Sequence, residues 1–294
     1  MRINIVTVSS GWILQKIAER TAKNCTVPDV HMTVSHSPDP NADANYYADL
    51  QNCYFGGYKT KCDVAYFTHA DKNSVQWMKS LFASRNVNNL DGIVSMNKRY
   101  TDMIESIGYP KHKLATITPG QTYDTFPLKP IKIGIVSRGG YAGYGQQFME
   151  RLLREFDFEN IELKFLGNGW DALVPIANER NIKIELLPDA DYSIYPEFYQ
   201  SIDYLLIAGL WTAGPMSMQE ALSTGIPIIA SDVGFVGYEF QADYVFEPNN
   251  TGQLINILKE IRQPILDRRK QVEDMTWEKY ANDVANFIIK VKNR

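Results

Sequence analysis

The run Tyr204-Leu205-Leu206-Ile207-Ala208-Gly209-Leu210-Trp211-Thr212-Ala213-Gly214-Pro215-Met216-Ser217-Met218-Gln219-Glu220-Ala221-Leu222-Ser223-Thr224-Gly225-Ile226-Pro227-Ile228-Ile229-Ala230-Ser231 reads as strand, loop, helix, glycine cap and strand. Pro215 suits a first helical turn, where its missing N–H costs nothing, and Gly214 before it lets another group approach the backbone closely. The backbone amides of Met216 and Ser217 then form an anion site aided by the helix dipole. Glu220 follows about 7.5 Å along the helix axis, at about 1.5 Å per residue, where a sugar next to a bound phosphate would reach it. A diphosphate carrying a ribose would fill both places. By local physics alone, the same features also suit an ordinary α/β crossover whose glutamate is merely solvated.

Working outward, short apolar runs alternate with helical patterns along the whole chain, the signature of βαβ units and a parallel sheet. The first series predicts strand 3–8, helix 12–23, strand 30–34, helix 43–54, strand 63–67, helix 73–83, strand 92–95 and helix 97–107. The second predicts strand 131–137, helix 146–155, strand 161–166, helix 171–179, strand 182–186, helix 195–201, strand 203–208, helix 215–224, strands 226–231 and 243–246, and helices 251–262 and 276–290. Between them, Thr118 to Pro130 holds Pro119, Pro127 and Pro130 without periodicity and reads as a linker. The expected organisation is two doubly wound, Rossmann-like α/β domains, residues 1–127 and 131–275, followed by a C-terminal helix in 276–294. Two such halves place a ligand cleft where their strand C-terminal edges face one another.

Composition narrows the class. The 294 residues are 45% apolar and 22% charged, which excludes a disordered or collagen-like chain. A formal charge of −4 gives no global basic field for nucleic acid or anionic lipid, although Lys59, Lys61, Lys111, His112 and Lys113 could form a local patch. Cys25, Cys53 and Cys62 form neither a C-x-x-C pair nor an even set, as expected of reduced thiols in a cytoplasmic protein. The opening run from Met1 to Val8 reaches Ser9-Ser10-Gly11 too soon for a signal peptide, and no stretch approaches the ~18 apolar residues of a membrane span.

Two further loops carry chemistry. Strand 131–137 runs into Ser137-Arg138-Gly139-Gly140-Tyr141-Ala142-Gly143-Tyr144-Gly145-Gln146-Gln147, a phosphate-loop candidate by position and glycine content. Gln146-Gln147 replaces the Lys-Ser/Thr of a P-loop, and Phe148 replaces the third glycine of a dinucleotide fingerprint, so neither of those sites is expected. In the first half, Gly11 sits at the first βα turn, where it serves either a tight turn or a phosphate or sugar. His69 ends the strand Asp63-Val64-Ala65-Tyr66-Phe67-Thr68-His69, and a lone histidine there is either an ordinary polar residue or a site residue. No histidine has metal-ligand spacing with Cys, Asp or Glu, and no bound metal is expected.

Taken together, five segments resemble the retaining glycosyltransferases of the GT-B fold, in the glycosyl transferases group 1 or family 4-like class. Glu220-Ala221-Leu222-Ser223-Thr224-Gly225-Ile226-Pro227-Ile228-Ile229-Ala230-Ser231 follows that family's E-A-x-A-x-G-x-P-V-I-A-S. Asp91 to Asn97, Ile107 to Leu114 and Ile117 to Phe126 match its upstream pattern in order and spacing, and Thr276-Trp277-Glu278-Lys279-Tyr280 precedes a similar amphipathic helix. The resemblance covers the chain from about residue 60 to the end.

It implies that sugar passes from a nucleoside-diphosphate sugar, as donor substrate, to a hydroxyl acceptor, without a metal or other cofactor. In that reading Glu220 binds the donor ribose and Arg138 pairs with the diphosphate. Gly139, Gly214, Pro215, Met216 and Ser217 line the donor site with Thr212, while Gly11 borders diphosphate and acceptor and His69 lies near the transferred sugar. The acceptor would be a glycan, lipid, protein or hydroxylated nucleic-acid base. Two departures stand out: Thr212 occupies the position of the family's first glutamate, and Gly143 that of a second cation, a lysine. They keep open a non-catalytic nucleotide-sugar-binding protein, and an epimerase of the same fold is a further alternative. The resemblance also implies that the final helix returns to the first domain, with hinges near Pro127 to Pro130 and near Asp274 to Thr276 that close on ligand.

Overall fold

The structure, a computed structural model, describes residues 1–7, 13–50, 60–68, 75–121, 126–212 and 214–294. The chain divides into two compact units: Met1–Phe126 with Gln271–Arg294, and Pro127–Lys270.

The first unit holds strands β1 (Arg2–Val6), β2 (His31–Ser35), β3 (Ala44–Tyr47), β4 (Asp63–Phe67), β5 (Gly92–Ser95) and β6 (Leu114–Thr116). They form one parallel sheet in the order β2-β1-β3-β4-β5-β6. Helices Ile13–Asn24, Val75–Ala83 and Lys98–Ser106 connect them. The expected helix 43–54 is overturned at its start, because Ala44–Tyr47 is the third strand. All four of its residues are buried, as suits a central strand covered on both faces, and paired β-favouring tyrosines override the alanines on either side. Residues 51–54 lie outside the described residues. β6 has no counterpart in the sequence reading, since a three-residue edge strand carries too little periodicity to register.

A row of polar side chains crosses the middle of this sheet. Asn4 pairs with Asn45 in register, and Asn45 with Asp63. Asn4 Nδ2 donates to Asn45 Oδ1 at 2.9 Å, Asn45 Nδ2 to Thr60 Oγ1 at 3.0 Å, and Thr60 Oγ1 to Asp63 Oδ1 at 2.7 Å. Asn45 Oδ1 also accepts from the Asp39 amide at 2.8 Å, and Asn45 Nδ2 donates to the Asp39 carbonyl at 3.0 Å. A one-residue slip would break the whole set, so the row fixes register as well as satisfying its members.

The core of this unit is completed by helix Trp277–Lys292, capped by Thr276, whose hydroxyl accepts from the Lys279 amide at 3.1 Å. Tyr280, Val284, Ile288 and Val291 pack among Ile3, Ile5, Val64 and Val94. The Tyr280 hydroxyl meets that of Tyr46 at 3.2 Å. Just before the helix, the Gln121 amide donates to the Met275 carbonyl at 2.6 Å, and Gln121 bridges Thr276 in parallel. The chain therefore leaves this unit and re-enters it along one pair of neighbouring segments.

The second unit holds β7 (Ile131–Val136), β8 (Ile161–Leu166), β9 (Lys183–Leu187), β10 (Tyr204–Ile207), β11 (Ile228–Ser231) and β12 (Tyr244–Phe246). Its parallel sheet runs β12-β11-β10-β7-β8-β9. Counted from the unit's own first strand, this is the 3-2-1-4-5-6 order of a doubly wound dinucleotide fold. Leu206 enters the core built on Phe148, Phe165 and Trp170, while Leu205 and Ile207 enter that of Phe198, Tyr199 and Met218, the alternation of a sheet covered on both faces. Helix Thr251–Lys270 runs past the expected end at 262 and through Pro264. That proline is on the exposed side, where water can satisfy the carbonyl it leaves unpaired, while Ile261 and Ile265 still pack inward.

Candidate functional site

β7 and β10 are hydrogen-bonded neighbours whose crossovers lead to opposite ends of the sheet, β7 to β8 and β10 to β11. The loops after them diverge, and such a switch point leaves a crevice at the strand C-terminal edge. A cavity of about 720 Å³ occupies it, lined by Ser137, Arg138, Thr212, Gly214, Pro215, Met216, Ser217 and Glu220 among others.

The floor is held by backbone. The Ser137 amide donates to the Leu166 carbonyl at 3.1 Å, the Gly139 amide to the Asn168 carbonyl at 2.7 Å, and Trp170 Nε1 to the Ser137 carbonyl at 2.9 Å. A Cβ on Gly139 would come within 2.1 Å of the Gly169 carbonyl oxygen. Gly139 is thus required by the packing of two loops, immediately beside the cavity-lining Arg138. Arg138 beside it is exposed and makes no side-chain hydrogen bond or ion pair among the described residues, so its forked donors are available.

Across the cavity, helix Met216–Thr224 begins one residue later than expected, with Pro215 as its N-cap. No side chain caps it, and the Met216 and Ser217 amides have no helical acceptor, whereas the Met218 amide reaches the Pro215 carbonyl at 2.9 Å. Gly214 needs its lack of a side chain for a reason other than ligand approach. A Cβ there would lie 2.0 Å from Phe235 Cε1, so the close neighbour is the chain's own aromatic ring. The loop between β10 and this helix is tied down by Ser231, whose buried hydroxyl donates to the Gly209 carbonyl at 2.6 Å, and by the Leu210 amide on the Gly143 carbonyl at 2.8 Å.

Glu220 lines the cavity with both carboxylate oxygens engaged: Tyr192 Oη donates to Oε1 at 2.9 Å and Tyr199 Oη to Oε2 at 2.6 Å. Burial, reinforced by the Glu220 carboxylate, pushes the Tyr199 phenol far above its ordinary range, and the same carboxylate raises that of Tyr192. Both phenols stay protonated and donate. Also lining the cavity, Asn168 and Asp189 form a reciprocal pair, Nδ2 to Oδ1 at 2.5 Å and Asp189 amide to Asn168 Oδ1 at 2.6 Å. None of these four partners was among the expected site residues. The spacing of Tyr192, Tyr195 and Tyr199, three and then four residues apart, was the available signal, because it puts them on one side of a helical turn.

Thus Arg138, Thr212, Gly214, Pro215, Met216, Ser217 and Glu220 share one cavity. Gly11 and His69 lie outside the described residues. Among the described residues no group of three or more His, Cys, Asp or Glu side chains could hold a metal ion, and no helix is long and apolar enough to cross a membrane.

No protein-family model and no curated protein matches this sequence. Among solved structures, the following are similar to it. The lipopolysaccharide outer core galactosyltransferase WaaB, in its apo form, is 14% identical, with a TM-score of 0.41 over 98% of this chain and 99% of that one. HepE of Anabaena, in complex with UDP-glucose, is 10% identical, with a TM-score of 0.40 over 100% and 97%. Sucrose-phosphate synthase of Thermosynechococcus elongatus is 11% identical, with a TM-score of 0.40 over 99% and 98%.

Proposed function

We propose that the chain is a retaining, metal-independent glycosyltransferase that moves a sugar from a nucleoside-diphosphate sugar to a hydroxyl acceptor. The observation that carries this reading is the switch-point cavity of the second unit, where Arg138, the free amides of Met216 and Ser217, and Glu220 line one space. The motif resemblance from Glu220 to Ser231 agrees with it. In this reading, the diphosphate sits against Arg138 and the helix N-terminus, which stabilise the charge that develops as the sugar–phosphate bond breaks. No protein side chain then has to protonate the leaving group. Glu220 accepts from the ribose hydroxyls, and Thr212 offers a hydroxyl where the resembled enzymes have a carboxylate. The test is calorimetric titration of UDP, GDP and ADP into the whole chain, followed by release of free sugar or its transfer from the matching sugar nucleotides to glycan, lipid, protein and hydroxymethylated DNA acceptors. Binding of one nucleoside diphosphate together with turnover of its sugar is expected. Absence of binding by all three would overturn the reading.

A second reading, a nucleotide-sugar-binding protein without transfer, has its own observation. A Cβ on Gly143 would stand 2.8 Å from Trp211 Nε1, so an indole fills the space from which the resembled enzymes extend a lysine. Binding without detectable turnover of any sugar nucleotide would favour it.

A further inference from the structure

The two tyrosines on Glu220 hold it under opposite conditions. Tyr199 is 2% exposed, stands behind the cavity wall, and also lies 3.4 Å from the Ser217 carbonyl. Tyr192 is 66% exposed and lines the cavity, its ring leaning on that of Tyr195 with centroids 4.7 Å apart. A ligand that displaced Tyr199 from Oε2 would leave its buried hydroxyl with only the long bond to the Ser217 carbonyl, which is costly. Displacing Tyr192 from Oε1 sends its hydroxyl into water, an exchange of one hydrogen bond for another.

The geometry points to a division of roles: Tyr199 is a positioning residue that fixes the Glu220 carboxylate, and the Tyr192 hydroxyl is an internal stand-in for a ligand hydroxyl, displaced from Oε1 when a sugar diol binds. This deepens the donor reading and rests on it, because the diol is that of the donor ribose. A carboxylate has about four acceptor positions, so a Glu220 oriented by Tyr199 on Oε2 can still receive two hydroxyls once Tyr192 has left. The predicted outcome is selectivity for ribose over deoxyribose, set by a residue that never touches the ligand.

The experiment titrates UDP, GDP and ADP, each beside its 2′-deoxy form, and inorganic diphosphate into the whole chain and its Tyr199→Phe and Tyr192→Phe variants. The wild-type chain is expected to prefer the ribose form about tenfold, the loss that goes with one hydrogen bond to a charged acceptor. Tyr199→Phe should lose most of that preference while holding inorganic diphosphate as the wild type does, which a merely unfolded variant would not. Tyr192→Phe should keep the preference and bind the ribose form about threefold more tightly, since one competitor is gone; it carries the test if Tyr199→Phe does not fold. A ribose preference undiminished in Tyr199→Phe, or weakened binding in Tyr192→Phe, would overturn the inference. Nucleotide binding with no ribose preference in the wild type overturns it too but leaves the diphosphate site standing, whereas no binding of any nucleotide overturns the donor reading itself.

Discussion

Both units are six-stranded parallel sheets, yet they place their polar side chains differently. In the first, Asn4, Asn45 and Asp63 lie in a row across the sheet interior, and Asn45 makes hydrogen bonds through both ends of its amide. In the second, β10 and β11 are apolar between Tyr204 at one end and Ser231 at the other, and the polar groups that line the cavity gather at the C-terminal edge. There Arg138 and the amides of Met216 and Ser217 keep donors free. A polar group whose bonds are all met inside the protein specifies structure, and one left with capacity at a crevice is available to a ligand.

The largest effect should come from Tyr280→Ala, which removes a fully buried ring from the first unit at a cost of about 4 kcal/mol. Hydrogen exchange should quicken in β1, β3 and β4, while β7 and β10 keep their protection; equal loss in both units would end the contrast. Next, Asn45→Ala leaves the Asp39 N–H without its acceptor and the Asn4 amide with only the Ser37 carbonyl, and should cost about 2 kcal/mol in urea unfolding, with nucleotide affinity unchanged. A negligible cost would mean the row does not hold register. Arg138→Ala should leave thermal stability within about 0.5 kcal/mol but weaken nucleoside-diphosphate binding tenfold or more, and nucleoside binding little. Equal affinity for the diphosphate would remove Arg138 from the site. The smallest effect concerns acid. Asp43 accepts from the Arg2 amide at 2.8 Å and from Lys292 Nζ at 3.1 Å, contacts that hold its carboxyl below the ordinary 3.8. Its contribution to stability is therefore complete above the unfolded value and fades as pH falls through the lower folded one. Asp43→Asn should flatten the Tm-versus-pH curve slightly in that range, and an unchanged curve would show the contact to be solvated away.

The second unit was the more legible half. Its strands have clear apolar runs bounded by Gly and Pro, and Arg138, Thr212, Met216, Ser217 and Glu220 belong to contiguous strand–loop–helix segments, so position along the chain implied position in the cavity. What stayed hidden depended on distant partners. Gly139 and Gly214 look like openings for a ligand, but Gly169 and Phe235 fill the space, and neither is near in sequence. Tyr199 reaches Glu220 from a different helix. In the first unit, the alanines around Asn45, Tyr46 and Tyr47 suggest a helix, and the pairing of this segment between β1 and β4 makes it a strand.

The bridge between Gln121 and Thr276 has a consequence for synthesis. Domains fold as units while the ribosome is still at work, those made earlier usually first. Here the first residues to emerge belong to a unit that lacks Tyr280, Val284 and Ile288 until residues 277–292 have left the ribosome. The inserted unit, complete at Lys270, is expected to fold first, with the earlier sheet still waiting for its last helix. Chains ending at Lys270 and held on the ribosome by an added C-terminal linker long enough to clear the exit tunnel should therefore protect β7 to β12 from protease and leave β1 to β5 open to cleavage, reversing the order in which the two units are translated.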